Sequence, residues 1–491
     1  MYKKSIWLTD IKESKEKQLD KNIEVDVLII GGGITGLTTA YHLKNSNLSI
    51  CLVDQDKVAH GVSSKTTGKL NYLQEVIYST LEKEYSYEIA NLYYKSQRHA
   101  IKIVKDIIEK EQIDCNFEKV SSYVFTDNEK EMKKLIKEKA ILESMGEKVN
   151  EHKKIDLKLD SIYAISVDNT AVFHPLKYLL KLKEFCLKNN INIYESTKIY
   201  DIKKEKDIFI CRANNYEIKT KKVVIACHYP FFLLPYFMPI KTYLEKSYIS
   251  ASKVEENGKK TYITTTNPTK SIRYYENEKT YFIYLSNSHK ICNDLNEEEN
   301  FDHLLEETKI LDLKPNYIWS NIDLMTYDKL PFIGKLEDNL YIGTGYNTWG
   351  MTNGTIAGYI LSDLILNKDN PYIELFNPKR KSFMNKLKNY PINLFSNMKG
   401  FIPNKIVKDK DWYSKNLEFK TIDGKSVAIY KDGKKEHIVY TKCPHMGCTL
   451  IFNEVEKTWD CPCHASRFDI NGKCIKGPSL YDISYKKKTD K

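Results

Sequence analysis

Cysteine and histidine side chains crowd into one short stretch near the C-terminal end of the chain. The segment from Cys443 to Cys474 holds five of the chain's 11 cysteines. Within it, one residue separates Cys443 from His445, and two residues separate Cys461 from His464. Thiolate sulfur and imidazole nitrogen are the donors that suit soft and borderline metals. The spacing therefore predicts a metal centre held by two loops, each supplying one cysteine and one histidine.

The mixed Cys–His pairs favour one type of centre over its main alternative. A Rieske [2Fe–2S] centre needs two thiolates on one iron and two imidazoles on the other. Cys443 and Cys461 would supply the thiolates, and His445 and His464 the imidazoles. Structural zinc also binds two cysteines and two histidines, but its ligands usually come as like pairs with wider spacing. An iron–sulfur centre is therefore the preferred prediction, with structural zinc as the alternative.

A second set of residues predicts a nucleotide site near the N-terminus. Gly31, Gly33 and Gly36 form a Gly-x-Gly-x-x-Gly pattern between an apolar run, VDVLII, and a stretch with helical spacing, LTTAYHL. Glycines let the backbone turn and approach a pyrophosphate, whose charge then faces the helix N-terminus. Asp54 ends the next apolar run and is placed to accept hydrogen bonds from a ribose diol. The pattern predicts a dinucleotide site and does not by itself separate FAD from NAD.

The rest of the sequence supplies the elements that would position these two sites. Segments 75–113 and 128–148 are rich in Lys, Glu and Ile at helical spacing. The stretch 235–325 is dense in Tyr, Thr, Ile and Ser, which favours an antiparallel sheet. Residues 367–404 mix prolines, lysines and aromatics without sustained periodicity and are predicted to connect two domains. From about Asp411, short strands with glycine turns predict a small β domain around the clustered cysteines.

Composition argues against several classes of protein. The formal net charge is +11, but only five residues are arginine, the preferred side chain for phosphate and base edges. The N-terminal residues lack the apolar core of a secretory signal, and no run approaches the roughly 18 apolar residues of a membrane-spanning helix. The sequence therefore predicts no nucleic-acid partner, no transmembrane segment and a cytoplasmic location.

From about residue 20 to 365 the chain resembles the D-amino-acid-oxidase-like FAD oxidoreductases, which include glycine, sarcosine and γ-glutamylputrescine oxidases. The resemblance rests on the motifs VDVLIIGGGITGLTTAYHL, CLVDQD, GVSSKTTGKL, KKVVIACHYPF, DKLPFIG and YIGTGYNTWGMT. It implies an α/β (α+β) fold, with a Rossmann-like FAD-binding domain interleaved with an antiparallel-sheet substrate domain. Some members hold FAD through a cysteine thioether, but the matching stretch here, WSNIDLMTYD, has no cysteine. Noncovalent FAD is therefore expected, and the FAD ligands implied by the resemblance are Gly31, Gly33, Ile34, Thr35, Gly36, Asp54, Ser63, Ser64, Thr66, Thr67, Lys69, Ile199, Trp349, Gly350, Met351 and Thr352.

The C-terminal segment NEVEKTWDCPCHASRFDINGKCIKGPS resembles respiratory-type Rieske proteins. This resemblance implies one [2Fe–2S] cluster and a disulfide between Cys448 and Cys463 that ties the two cluster loops together. It also implies that the Ser466 hydroxyl contacts a bridging sulfide. Phe468 stands where many high-potential relatives have a tyrosine that donates to a cysteine sulfur, and the loss of a donor is expected to lower the cluster potential.

The two resemblances together imply a division of the chain into four parts. Residues 1–22 are expected to form an N-terminal extension, 23–366 the FAD-dependent oxidoreductase domain, 367–404 a linker, and 405–487 a small all-β Rieske domain.

Three residues are candidates for the substrate pocket. Arg273 is of interest because arginine is scarce here and its planar fork suits a substrate carboxylate. Tyr248 and His289 lie in the same Tyr-rich region. For Arg273 a surface or structural salt bridge is slightly preferred, because the sequence does not show which way its strand faces. Buried structural roles explain Tyr248 and His289 as well as a place in the pocket does.

A flavin and a Rieske centre in one chain predict a redox enzyme with two cofactors. The preferred hypothesis is oxidation of an amine or amino-acid-like small molecule, with electrons passing from the flavin through the cluster to an external acceptor. The alternative is an electron-transfer protein that serves a partner enzyme, with an external donor and no small organic substrate of its own. A Rieske oxygenase would need a mononuclear iron held by two histidines and a carboxylate, and the sequence shows no obvious set of this kind.

Overall fold

A computed structural model describes residues 1–9, 11, 15–230, 241–256, 258–291, 297–380, 416–433, 435–463 and 466–485. The α-helices in these ranges are α1 (Ile34–Leu43), α2 (Ile77–Glu84), α3 (Tyr87–Glu111), α4 (Glu129–Ser144), α5 (Pro175–Lys188), α6 (Glu297–Ile310), α7 (Gly350–Ile365) and α8 (Ile373–Phe376).

Strands fall into four sheets. Those before residue 350 are β1 (Ile23–Ile30), β2 (Ile50–Val53), β3 (Lys69–Leu70), β4 (Glu118–Thr126), β5 (Asn150–His152), β6 (Tyr163–Val172), β7 (Asn192–Tyr194), β8 (Ile199–Glu205), β9 (Ile208–Ala213), β10 (Tyr216–Ile225), β11 (Thr242–Val254), β12 (Lys260–Thr264), β13 (Ser271–Glu276), β14 (Thr280–Lys290), β15 (Pro315–Thr326), β16 (Phe332–Glu337) and β17 (Leu340–Thr344). Those after residue 416 are β18 (Leu417–Ile422), β19 (Lys425–Asp432), β20 (Lys435–Tyr440), β21 (Ile451–Asn453), β22 (Thr458–Asp460), β23 (Arg467–Asp469) and β24 (Cys474–Lys476).

The first sheet has the order β16–β17–β10–β1–β2–β7, and β8 and β9 extend it from β10. The pairs of β1 with β10 and β2, of β2 with β7, and of β10 with β17 are parallel. Every residue from Val27 to Ile30 in β1 is buried, as expected for a parallel strand covered on both faces. Helix α7 packs closely on α1, because a Cβ on Gly358 would lie 2.5 Å from the Cβ of Thr38.

The second sheet has the order β15–β11–β14–β13–β12–β4–β6–β3, with β5 paired to β6. All of its pairs are antiparallel except β12 with β4. Along the sequence, the strands of the second sheet form two groups, β3–β6 and β11–β15, and each group lies between strands of the first sheet. The two sheets are therefore interleaved along the chain and share one body.

The C-terminal residues form two small antiparallel sheets, β18–β19–β20 and β21–β22–β23–β24. A core of aromatic side chains, among them Phe452, Trp459 and Phe468, packs against the buried Cys443 and Cys461. The predicted fold class is confirmed: a mixed α/β nucleotide-binding sheet, an interleaved antiparallel sheet and a separate small all-β domain.

The first two sheets and their helices form one unit, here called the larger body. The segments expected to be an N-terminal extension and a linker pack in part on it. Trp7 is buried in its main core. Residues 370–376 add Tyr372, Leu375 and Phe376 to the same core. Arg380 then donates to the Asp328 carboxylate at 2.7 and 2.8 Å. The rest of the expected linker, 381–404, and the first residues of the expected Rieske domain lie outside the described residues.

Within the described ranges, no helix is both long and apolar enough to cross a membrane.

Candidate functional site

The glycine turn after β1 is built for close backbone approach. Gly31 has a φ of 109°, and a Cβ there would lie 2.8 Å from the Ala226 carbonyl oxygen. A Cβ on Gly36 would lie 1.9 Å from the Gly31 carbonyl oxygen. Helix α1 begins without a side-chain cap at Gly33. The Ile34 N–H at the start of α1 donates to the Ser63 hydroxyl at 3.2 Å. Helix N-termini carry N–H groups without intrahelical partners, which suits this turn to an anion.

Asp54 lies immediately after β2, beside this turn. Its carboxylate accepts hydrogen bonds from the backbone N–H of Gly32 at 2.8 Å and of Asp56 at 2.9 Å. Burial raises the pKa of Asp54 to about 6, against the lowering effect of these two bonds. The side chain is fixed in orientation while its remaining lone pairs can accept hydrogen bonds from a ribose diol.

A cavity of about 340 Å³, here called the first cavity, runs along the glycine turn and Asp54. Part of its wall comes from positions the sequence did not indicate, including Asn321, Asp323 and, from the C-terminal domain, Arg467. The expected FAD ligands that line it are Gly31, Gly33, Ile34, Thr35, Asp54, Ser63, Thr66, Ile199, Gly350 and Met351.

The other expected FAD ligands lie near the first cavity without lining it. Gly36 lets α1 pack closely against the Gly31 carbonyl. The Ser64 hydroxyl donates to the carbonyls of His60 and Gly61, both at 3.0 Å. The Thr352 hydroxyl donates to the Trp349 carbonyl at 3.3 Å. Thr67, Lys69 and Trp349 line a neighbouring cavity instead.

This second cavity has a volume of about 360 Å³ and lies against the antiparallel sheet. It shares several wall residues with the first cavity, namely Lys65, Thr66, Asn321, Asp323, Thr348 and Met351. Its wall includes the carboxyls of Glu75 and Glu245. Burial raises the pKa of Glu75 to about 7 and also raises that of Glu245, and Lys329 opposes both shifts. A small molecule in the second cavity would therefore meet ionisable carboxyls beside the first cavity.

None of the three residues expected in the substrate pocket lines the second cavity. Arg273 is fully buried, and its Nη1 donates to the carbonyls of Thr67, Gly68 and Phe173 at 3.0, 2.7 and 3.0 Å. These contacts match the structural role preferred for Arg273: its guanidinium holds the backbone of the loop that carries Thr66 and Thr67.

The contacts of Tyr248 and His289 also match the structural roles that the sequence left open for them. The Tyr248 hydroxyl donates to Glu297 at 3.0 Å, and its ring stacks on that of His289. His289 lines a small cavity beside Cys461, away from the second cavity. Both side chains point to the face of the sheet opposite to the second cavity, whose wall holds Ser247, Ile249 and Ser288.

Two tryptophans hold the loop between the two cavities, and the sequence did not single out either. The Trp7 indole N–H donates to the Thr66 carbonyl at 2.7 Å. The Trp319 indole N–H donates to the Lys65 carbonyl at 2.9 Å. Because both rings are buried, they fix the loop from two sides.

The cysteines expected to bind iron lie together in the C-terminal domain. Cys443 and Cys461 are buried, and a hydrogen bond from the Cys461 thiol lowers the pKa of Cys443 to about 7, with smaller help from Ser466. The structure joins Cys448 to Cys463 in a disulfide, the pairing that the Rieske resemblance implies. The Sγ atoms of Cys448, Cys461 and Cys463 all lie within 4.8 Å of one another.

The histidines expected as ligands are described only in part. His445 is half-buried, and burial lowers its pKa, which favours the neutral imidazole that binds metals. His464 lies outside the described residues. Two adjacent thiols and a neutral imidazole fit three of the four ligands of a Rieske cluster. Phe468 is fully buried in the same core and has no hydroxyl to offer a sulfur.

Comparisons with known proteins agree with this geometry. Residues 26–364 match the family model described as FAD dependent oxidoreductase, and residues 403–485 match the Rieske [2Fe-2S] domain. The chain is 32% identical over 487 residues to YhfW of Bacillus subtilis (strain 168), which is named as a Rieske 2Fe-2S iron-sulfur protein, and the match covers 96% of each chain.

Two further comparisons match the larger body alone. The chain is 21% identical to gamma-glutamylputrescine oxidoreductase of Escherichia coli (strain K12) over 71% of this chain and 85% of that protein. The glycine oxidase structure from Geobacillus kaustophilus superposes with a TM-score of 0.62 at 17% identity, over 73% of this chain and 99% of that one, and shows the same fold. With a matching family model over more than half of its length, the chain belongs to the FAD dependent oxidoreductase family and carries a C-terminal Rieske [2Fe–2S] domain.

Proposed function

We propose that the chain oxidises an amine or amino-acid-like molecule in the second cavity and delivers the electrons through its Rieske domain to an external acceptor. The observation that carries this proposal is the shared wall of the two cavities together with Arg467 of the Rieske domain in the wall of the first. When bound, FAD can accept two electrons from an amine C–H bond, and a Rieske cluster carries one electron at a time.

The residues around the first cavity would hold FAD in a fixed place. Gly31 and Gly33 would admit the pyrophosphate to the start of α1, and Asp54 would accept hydrogen bonds from the adenosine ribose. Among the described residues, Cys227 is the one cysteine in either cavity wall, and burial raises its pKa to about 12. A thiol held protonated in this way is a poor nucleophile, which supports noncovalent binding.

The second cavity is suited to a cationic head group. Glu75 and Glu245 repel each other there, because the charge of Glu245 contributes to the raised pKa of Glu75. Lys329 already offsets part of this repulsion, and a substrate ammonium group between the two carboxyls would offset more of it. Glu75 Oε could then hold the proton that the ammonium must lose before the amine is oxidised, since its pKa of about 7 matches that task.

Replacing Glu75 by glutamine tests this role. The Glu75 carboxyl is ionised above pH 7 and neutral below it, so kcat/KM for a cationic amine should rise as the pH passes through 7 in the native protein. In Glu75→Gln we expect KM at pH 8 to rise about tenfold, the loss of roughly 1.4 kcal/mol of attraction, and the step at pH 7 to disappear.

The matched control is Glu82→Gln, which changes an exposed glutamate on the nearby helix α2. It should leave KM and the pH profile unchanged. A Glu75→Gln profile that keeps its step at pH 7 would show that another group titrates.

Acidification should weaken FAD binding through Asp54. The carboxylate is ionised above its pKa of about 6 and accepts from the ribose hydroxyls, whereas protonation below pH 6 removes one acceptor. We expect the dissociation constant for FAD, measured by fluorescence titration of the apoprotein, to rise about tenfold from pH 7.5 to 5. Asp54→Asn should bind weakly at both pH values, and a native protein with no change between them would contradict this role.

An anaerobic panel of amines and amino acids tests the proposed reaction itself. We expect at least one compound to bleach the visible absorbance of the flavin in stoichiometric amounts. If every compound is inert and only a reduced electron-transfer protein bleaches the flavin, the chain is an electron-transfer protein without a small organic substrate.

A further inference from the structure

The Rieske domain forms part of the wall of the first cavity. Arg467, Ile475 and Gly477 line it together with residues of the larger body. Hydrogen bonds from side chains to backbone carbonyls hold this arrangement near Asp54, where the side-chain amide of Gln55 donates to the Ile475 carbonyl at 3.3 Å. The Lys198 ammonium donates to the Ser479 carbonyl at 2.9 Å. The Rieske domain thus covers the cavity instead of lying apart from it.

A group of charged side chains, in which Lys246 and Arg467 are buried, also joins the two domains. Lys246 of β11 is 2% exposed. Its ammonium lies 2.7 Å from the Glu297 carboxylate and 3.4 Å from that of Asp460 in the Rieske domain. Asp460 in turn accepts from Arg467 Nε at 2.9 Å. One carboxylate therefore joins a lysine of the larger body to an arginine of the Rieske domain.

A second carboxylate repeats this pattern. Glu456 of the Rieske domain forms an ion pair with Arg467 and accepts from the Ser320 hydroxyl of β15 at 2.8 Å. Lys65, in the loop between the two cavities, lies close enough to interact electrostatically with Arg467 and Glu456. The group, here called the interdomain cluster, contains Lys65, Lys246, Arg467, Glu297, Glu456 and Asp460.

The composition of the interdomain cluster makes it specific for the docked arrangement. Three cations face three anions, so its formal charges cancel. Buried charges are costly unless each has a partner, and the loss of one partner leaves the others uncompensated. Separation of the domains would expose all six groups to water, whereas a shifted docking would leave buried charges unpaired. The cluster therefore favours one position of the Rieske domain over its neighbours.

We propose that the Rieske domain is the cover of the FAD cavity, and that Arg467 and Lys246 hold it closed through the shared carboxylate of Asp460. FAD then leaves the cavity only when this domain moves away. By linkage, bound FAD also stabilises the docked position of the domain. This arrangement does not depend on which substrate the enzyme oxidises, so it can fail or hold independently of the proposed function.

The test compares FAD release from the full-length holoprotein and its variants. After rapid dilution, the fluorescence of released FAD gives the dissociation rate. We expect Arg467→Met and Lys246→Met each to release FAD at least tenfold faster than the native protein, and Arg467→Lys to recover part of the difference. The control Lys44→Met removes a cation paired with Glu111 at 3.8 Å, away from the interface, and should not change the rate.

Two further measurements separate docking from folding. Iron content and the EPR signal of the reduced cluster report whether the Rieske domain is folded in each variant. If Arg467→Met loses the [2Fe–2S] cluster, the result for Lys246→Met decides the outcome, because Lys246 lies in the larger body. Hydrogen exchange in 451–460 should slow when FAD binds the native apoprotein and should not respond in Lys246→Met. A native rate of FAD release in Lys246→Met, with its cluster intact, would overturn the proposal.

Discussion

Replacing Cys461 by serine should remove the [2Fe–2S] cluster from a chain that still binds FAD. Cys461 is buried beside Cys443 in the core of the Rieske domain, and a serine hydroxyl is a hard, poorly ionised substitute for a thiolate. We expect iron to fall from about two atoms per chain to near zero. Reduction of an external one-electron acceptor should drop at least 100-fold, while substrate still bleaches the flavin.

Cys474→Ser is the matched control in the same domain. Cys474 is half-buried, and its thiol donates to the Ser479 carbonyl at 3.2 Å, so this change removes a cysteine outside the expected ligand set. It should keep full iron content and the EPR signal of the reduced cluster. A normal signal in Cys461→Ser, or its loss in Cys474→Ser, would contradict the ligand assignment.

Gly36→Ala should abolish FAD binding while leaving the Rieske cluster in place. The added Cβ would lie 1.9 Å from the Gly31 carbonyl oxygen, far inside contact distance, and the positions of both atoms are fixed by the backbone. Relief of this clash must move α1 away from the glycine turn, so the N–H groups that face the pyrophosphate are displaced. We expect at least a 100-fold loss of FAD affinity, about 2.7 kcal/mol, and a lower melting temperature.

The control for this change is Gly61→Ala. Gly61 also lines the first cavity, but an added Cβ there meets no protein atom within 4 Å. FAD absorbance after reconstitution, measured with iron content on the same sample, distinguishes a local effect from general unfolding. Stoichiometric FAD in Gly36→Ala would show that the turn does not bind the pyrophosphate.

The sites encoded by short contiguous segments could be predicted from the sequence. The strand, glycine turn and helix around Gly31 and Gly36 form from neighbouring residues, because the geometry of each glycine follows from its local position. The Cys–His pairs around Cys443 and Cys461 are of the same kind. The structure places the Gly31 turn against α1 and Cys443 beside Cys461, whereas His464 lies outside the described residues.

The substrate pocket could not be predicted, because its wall depends on which face each strand turns inward. Side chains alternate between the two faces of a strand. Tyr248 is the pocket candidate, but its neighbours Ser247 and Ile249 line the second cavity instead. An error of one residue in β11 changes the face completely. The register that decides this comes from pairing with β14 and β15, which are distant in sequence.

Residues whose roles depend on packing between distant elements gave no signal in the sequence. Glu75 lies in a segment without a motif, and its importance comes from a cavity wall built by several distant elements. Arg467 was noted only as one of five arginines, although it joins the Rieske domain to the first cavity. Such contacts depend on the packing of the two domains, which no local pattern records.

The most direct test of electron flow is to follow both centres after one anaerobic addition of a substrate that bleaches the flavin. Samples frozen at successive times would be examined by EPR for the reduced cluster. We predict that this signal grows after the flavin is bleached and that it is absent in Cys461→Ser. A cluster that stays oxidised beside a reduced flavin, although dithionite can reduce it, would contradict electron delivery through the Rieske domain.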